Sequence, residues 1–349
     1  MKQSRIEELK KKYSDRSPLE FENPEIVNFF ERMLMENNFK HLVQSYSGMP
    51  TFLKTPYNPD LSQCDIALIG IPIDLGVVDR PGARFGPRSV REHSDLAAGP
   101  MHHVSGIIPF DLCRVADAGD IYFTHLYSLD SMIEEIYTHY RQVKSAGVVP
   151  LSIGGDHSAT YPILKALGAD RPLGLIHFDA HSDTTGEYGG SLYYNATPVR
   201  NAVLNGFVDP DRTIQIGIRG RCEIFWDFAR DAGIKMIHAE ECFDLGPDRI
   251  LETIRETVGD GPTYITVDVD VFDPAYAPGT GEPEIGGLRP RDVQKIIRGL
   301  SGLSLVGGDV MEVSPPYDVS GVTARLAAQI MFEILCVLAE SVAHGKKRS

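Results

Sequence analysis

Apolar runs recur along the chain from Cys64 onward, each continuous rather than alternating with polar residues, and segments of helical period separate them. The runs are DIALIGIPI, GVVPLSIGG, LGLIHFDA, TIQIGIR, IKMIHA, TYITVDVDVF and LSLVGGDVMEV. A strand covered on both faces has no polar side to show, so unbroken runs predict a parallel sheet buried between helices. Between them, SLDSMIEEIYTHYRQVKSAG puts Met132, Ile133, Ile136, Tyr140 and Val143 on one face. Ser128 or Asp130 stands where a cap is needed, and Gly147 where such a helix ends. The last helical segment, VTARLAAQIMFEILCVLAESVA, is apolar almost all round and is expected to be buried. The fold class predicted is an α/β protein, a three-layer α/β/α sandwich whose mostly parallel sheet has about eight strands.

Upstream of this pattern, residues 1–60 are polar and read as a partly helical arm, in which EIVNFFERMLMENNF spaces Ile26, Phe29, Phe30, Met33 and Met35 at roughly helical intervals. Residues 61–349 are expected to form a single catalytic domain, because α/β folds with one large sheet often run this long as one unit. At 42% hydrophobic and 23% charged residues, the composition is that of a globular chain able to bury a large core. A net charge of -14 makes nucleic acid an unfavourable partner. Cys64, Cys113, Cys222, Cys242 and Cys336 are odd in number and lack a C-x-x-C spacing, so neither a disulfide framework nor a thiolate zinc site is indicated. No leader and no run of about 20 apolar residues is read, so a cytoplasmic location without membrane insertion is expected.

Three of the apolar runs end in residues that no strand needs. LSIGG is followed by Asp156, His157 and Ser158; LGLIHF by Asp179, His181 and Asp183 at alternate positions; TYITV by Asp268 and Asp270. Ligands of an open parallel sheet bind at the carboxyl ends of its strands, so these three segments are expected to converge. In extended chain, residues two apart point the same way, which aligns Asp179 with His181 and Asp183, and Asp268 with Asp270. Each segment alone has a plainer explanation: an Asp after a strand commonly caps a turn, and a lone DxD is often a surface loop. Together they place several carboxylates and imidazoles in one pocket, which demands a compensating cation. Mixed carboxylate and imidazole donors suit Mn, Zn, Ni or Fe. Two such ions about 3.5–4 Å apart can lower the pKa of a shared water from 15.7 toward about 7.

These segments, in this order, resemble the ureohydrolase family of arginases, agmatinases and related guanidino hydrolases. The resemblance spans roughly residues 45–340 through SGMPTFLKTP, DRPGARFGPRSVR, GGDHS, FDAHSDT, DVDVFDPAYAPGTGEPEIGGL and EVSPPYD, and is greatest to the agmatinase-like branch. It implies one metal held by His157, Asp179, Asp183 and Asp268 and a second by Asp179, His181, Asp268 and Asp270, with Asp179 and Asp268 bridging. It further implies two Mn(2+) or Ni(2+) ions per subunit, an arginase-like fold, and a homo- or hetero-oligomer, trimer or hexamer. The substrate class implied is a small guanidine-type cation, cleaved by hydrolysis to an amine and urea or a substituted urea. Asp183 resembles the residue that relays a proton to the leaving amine, and Glu312 the carboxylate that receives the guanidinium; a surface glutamate after a strand would read the same.

At one position the chain departs from that family. Where agmatinases and arginases carry a histidine a dozen residues beyond DAHxD, GGSLYYNATP puts Asn195, which cannot shuttle protons. A shifted alignment does not restore the histidine, because none lies between His181 and His238. A metal-binding partner subunit of a hetero-oligomeric hydrolase is a second explanation, against which the complete ligand set argues. The reading favoured from sequence is a specialised substrate, guanidine or a biguanide such as metformin, with agmatine or guanidinobutyrate as the alternative. Tyr193 and Tyr194 either narrow the pocket or stack on a planar cation, or else belong to the core; Glu282 and Glu284 are candidates to receive a second positive group, or Glu284 only fixes its loop. Arg80, Arg84 and Arg88 are expected to hold loops and interfaces.

Overall fold

Eight strands, all parallel, form one sheet in the order β2-β1-β3-β8-β7-β4-β5-β6 in the computed structural model, which describes residues 2–16, 23–35, 46–94, 100–220 and 223–348. The strands are β1 Ile66–Ile71, β2 Val115–Asp120, β3 Val149–Gly154, β4 Leu173–Phe178, β5 Val208–Ile218, β6 Lys235–His238, β7 Thr263–Asp268 and β8 Leu305–Met311. Seven coincide with the apolar runs. β2, sequence VADAGD, was not among them because it is an edge strand with two aspartates. Asp117 is nonetheless buried, since Arg91 donates to its two oxygens at 2.8 and 2.9 Å and stacks on Phe52.

Helices cover both faces, as continuous apolar strands require. Leu129–Ser145, Thr160–Gly168 and Pro198–Leu204 pack on one face, and Gly86–His93, Ala239–Val258, Pro290–Arg298 and Val322–Arg348 on the other. In the helix Leu129–Ser145, Ser128 accepts from Ser131 N–H, the five predicted apolar residues are buried, and Gly147 turns the chain away at φ 69°. The closing helix is long and apolar enough over Val322–Gly345 to cross a membrane by length and composition, a point the sequence reading missed. Its burial against β8, β3 and the helix Pro290–Arg298 accounts for that composition, with Ile330, Met331, Ile334 and Leu338 fully enclosed.

In the N-terminal segment, helices span Lys2–Tyr13 and Pro24–Met35. Phe29 is buried and packs on Phe110, whereas the side chains of Phe30, Met33 and Met35 lie outside the described residues. Phe52 and Leu53 already belong to the main core.

The register sets the height of the four central strands. Ile153 pairs with Val310, Val310 with Val267, and Val267 with Phe178, so β3, β8, β7 and β4 end level with one another. Whatever follows these four strands is brought to one place, at the carboxyl edge of the sheet.

Candidate metal centre

Backbone N–H groups at the strand ends hold the carboxylates one oxygen at a time. Asp179 Oδ1 accepts from His181 N at 2.5 Å, Asp268 Oδ1 from Asp270 N at 2.8 Å, and Asp270 Oδ1 from Ala180 N at 3.0 Å. The other oxygens turn inward. His157 Nδ1 lies 3.1 Å from Asp179 Oδ2, 3.0 Å from Asp183 Oδ2 and 3.3 Å from Asp268 Oδ2, while His181 Nδ1 lies 3.0 Å from Asp270 Oδ2 and 3.5 Å from Asp179 Oδ1. His157 Nδ1 and Asp183 Oδ2 are buried, yet their geometry forms no hydrogen bond. Atoms that approach one another at about 3 Å without bonding are spaced like ligands that share an ion, since donors about 2.1 Å from a hexacoordinate cation stand about 3.0 Å apart. Among the described residues, two groups of potential ligand atoms emerge, one around His157, His177, Asp179 and Asp183 and one around Asp179, His181 and Asp270. Asp179 is common to both, and the donor set fits two divalent cations.

The protonation of the cluster shows what those cations replace. Burial pushes Asp268 well above the usual carboxylate range, and the charges of Asp270 and Asp179 add to it. Burial and Asp179 raise Asp183 to about 6. Burial would lower His157 and His181, but the negative charge of Asp183 beside the first and of Asp270 beside the second, with the other carboxylates around them, holds both well above the imidazole range. Asp179 goes the other way: burial favours its proton, yet His177 against its Oδ2 and the imidazoles of His157 and His181 around it keep it well below the usual value. Protons thus bind where metals would, and the two compete.

Strain is concentrated here too. Asp183 and Glu312 adopt φ of 54° and 65°, the left-handed region that non-glycine residues seldom enter. Glu312 directly follows β8; its N–H donates to Gly155 O at 2.9 Å and its Oε1 accepts from His157 N at 2.8 Å. Its Oε2 is buried and unpartnered. Burial, with the charges of Asp268 and Asp156, raises its pKa well above the carboxylate range.

A cavity of about 310 Å³ opens over the cluster. His157, His181, Asp183, Asp268, Asp270 and Glu312 line it, with Asp179 buried beneath. Asn195, Tyr194 and Glu282 line it as well, and Asn195 Nδ2 donates to Glu282 Oε1 at 3.2 Å. Tyr194 is held by its hydroxyl, 2.7 Å from Thr185 Oγ1 and 2.9 Å from Gly186 O. Tyr193 instead stacks on Tyr161 at 5.6 Å and packs against the core, which settles it as a packing residue. Glu284 reaches the outer edge, 3.6 Å from His181 Nε2. Arg80 donates to the carbonyls of Gly281 and Thr280 and Arg84 pairs with Asp74, so these two hold loops, whereas Arg88 pairs with Glu92 within its own helix Gly86–His93 and holds none.

His177 was not singled out in the sequence, although it precedes Asp179 by two residues and shares its face of the strand. Its Nε2 donates to Asp179 Oδ2 at 2.8 Å, and its Nδ1 accepts from Gln215 Nε2 at 3.0 Å. With both nitrogens used, it orients the shared carboxylate rather than offering a further ligand. Beneath His157, Nε2 meets Thr266 Oγ1 at 2.8 Å, and Thr266 bonds in turn to the buried Asp309. Asp156 caps the turn after β3 and holds the N–H of Gly76 at 2.9 Å.

The sequence profile of the arginase family matches residues 64–337. The chain belongs to the arginase family. This arginase-family chain is 52% identical to the guanidinopropionase of Pseudomonas aeruginosa over 306 residues, covering 87% of the chain and 96% of the relative. It is 44% identical over 294 residues to the mitochondrial agmatinase of Gallus gallus, covering 83% and 86%. The solved structure of proclavaminate amidino hydrolase from Streptomyces clavuligerus superposes with a TM-score of 0.82 at 40% identity, covering 85% of this chain and 99% of that one. Arginase-family enzymes use a binuclear metal site, and this member is a hydrolase of C–N bonds in linear amidines, acting on a guanidino compound.

Proposed function

We propose that the chain hydrolyses an N-substituted guanidine to urea and the corresponding amine, with His157, Asp179, His181, Asp183, Asp268 and Asp270 holding two divalent cations, Mn(2+) or Ni(2+). The observation that supports this most directly is the convergence of these six side chains beneath the unpartnered Oε2 of Glu312. The cations supply Lewis acidity, lowering the pKa of a shared water to about 7. Asp179 would be shared by the two positions, Asp268 is proposed to be shared as well, His177 keeps Asp179 turned inward, and Glu312 accepts N–H bonds from the guanidinium and presents its carbon to the cluster. Asp183, buried on the cavity wall, accepts the proton of the attacking water and passes it to the leaving nitrogen. The balance is one water consumed, the carbon–nitrogen bond to the substituent broken, and urea and a protonated amine released.

Relatedness favours a substituted guanidine, by the names of the guanidinopropionase and the agmatinase, over the guanidine or metformin reading drawn from sequence. One observation keeps that second reading in the assay: the cavity holds Asn195 and Glu282, with no histidine between His181 and His238. A homo-oligomer, trimeric or hexameric, is proposed as the active form, with a non-catalytic partner subunit as its competitor.

The test is urea and amine release by the purified chain, loaded separately with Mn and Ni, from 3-guanidinopropionate, 4-guanidinobutyrate, agmatine, guanidine and metformin. Turnover of a substituted guanidine by the chain alone supports the proposal; turnover of guanidine or metformin only moves it to the second reading. Silence on all five without a second polypeptide overturns the homo-oligomeric enzyme.

A further inference from the structure

The two relatives named above act, by their names, on compounds whose far ends differ in charge, so relatedness does not decide which end this cavity takes. The cavity wall does carry a signal. Asn195 is only 8% exposed, its N–H is held by Gly76 O at 2.9 Å, and its Nδ2 donates to Glu282 Oε1 at 3.2 Å. A carboxylate only accepts, so Glu282 fixes which way the amide faces: nitrogen toward Glu282, oxygen away from it. That oxygen, Oδ1, is buried in the wall without a partner, as are Glu312 Oε2 and Asp183 Oδ2. Asp183 Oδ2 belongs to the metal cluster; the other two acceptors are on residues that line one cavity, and each calls for a donor.

The charges agree. No lysine or arginine lines the cavity among the described residues. The arginines that reach toward its mouth are committed elsewhere: Arg80 to the carbonyls of Thr280 and Gly281, and Arg219 to those of Gly217, Asp270 and Glu284. Two divalent cations balance the four aspartates 179, 183, 268 and 270. Glu282 and Glu312 are the further carboxylates on the cavity wall, with Glu284 at its outer edge. Glu282 shares this cavity with Tyr188, Tyr194, Phe225 and Trp226, aromatic faces that suit a flat or alkyl cation.

We infer that the Glu282–Asn195 pair selects a substrate whose far end is cationic or rich in N–H donors, and rejects a guanidino acid even though the chain is 52% identical to a guanidinopropionase. This rests on the hydrolase reading only for the identity of the near end, the guanidinium. A terminal carboxylate would meet the charge of Glu282, and among the described residues no lysine or arginine lines the cavity to receive it.

Trp226 is the only tryptophan of the chain and lines the cavity, so its fluorescence reports occupancy independently of turnover. The experiment titrates agmatine and 3-guanidinopropionate into the metal-loaded protein by this signal and measures kcat/KM for both, in wild type and Glu282→Gln, with metal content determined in each. Agmatine is expected to be preferred about 100-fold in both readouts, and Glu282→Gln to reduce the preference about tenfold at unchanged metal content. Preference for 3-guanidinopropionate, a ratio unchanged by Glu282→Gln, or binding of neither compound overturns the inference. If both bind and neither is hydrolysed, the hydrolase reading fails and the binding ratio alone decides this one.

Discussion

The backbone N–H of His157, just after β3, donates to Oε1 of Glu312, just after β8, at 2.8 Å, and so leaves Oε2 as the oxygen that faces the cavity. Glu312→Gln preserves size but removes the charge and, with it, the paired acceptors a guanidinium needs. A hydrogen bond to a charged group contributes about 1.5–3 kcal/mol, so kcat/KM is expected to fall about 10- to 150-fold with metal content unchanged. Loss of bound metal in step with activity would instead make Glu312 a support of the cluster.

Asp179 lies between both groups of ligands, whereas Asp270 belongs to one. Asp179→Ala and Asp268→Ala are therefore expected to empty both metal positions, and Asp270→Ala to weaken mainly one. Elemental analysis after dialysis decides it. Equal loss of metal in all three variants contradicts the bridging assignment.

His177 touches no cavity, yet it holds Asp179 Oδ2 at 2.8 Å. Replacing it by Phe keeps the volume in β4 and removes the bond. Metal affinity is expected to drop about 10- to 100-fold, as when other outer partners of metal ligands are lost, while the circular dichroism spectrum is retained. An unchanged dissociation constant would leave His177 a packing residue.

The pH dependence of stability follows from the same cluster. Asp183 is raised to about 6, and Asp268, His157 and His181 are raised well above their ordinary values. Groups raised by folding contribute stability at low pH and lose it as pH climbs through their folded values; Asp179, depressed, acts in the opposite sense. The metal-free protein is thus expected to lose stability as pH passes about 6, and the rise in Tm given by saturating metal to widen from about pH 5 to pH 8. Calorimetry in buffers of differing ionisation enthalpy should show protons released on metal binding. A Tm gain that narrows as pH rises refutes this.

Much of this architecture was readable from residue pattern because buried parallel strands and buried helix faces leave unambiguous apolar runs, as in LGLIHF and in Met132, Ile133 and Ile136. β2 was not, since its buried Asp117 is made tolerable only by Arg91, a partner 26 residues away. Period two drew Asp179, His181 and Asp183 together, although the strand stops at Phe178 and Asp183, at φ 54°, leaves the extended chain that period assumes; it said nothing of His177, whose single position inside an apolar strand looks like core until Gln215 and Asp179 are seen on either side of its ring. The same blindness separated Tyr193 from Tyr194: adjacent in sequence, one faces Tyr161 and the other the cavity. The link from Glu282 to Asn195 joins positions 87 apart, so only the folded chain reveals it.

The place of β8 in the sheet bears on how the protein comes into being on the ribosome. It is the last strand to be synthesised, yet it lies between β3 and β7, so the emerging chain holds two separate blocks, β2-β1-β3 and β7-β4-β5-β6, with a gap where the seam will close. His157 sits on the first block, the DAHSD and DVD aspartates on the second, and Glu312 arrives with the strand that joins them. A message truncated before Leu305 therefore yields a chain whose sheet has nothing to join His157 to the aspartates, and which lacks Glu312 altogether.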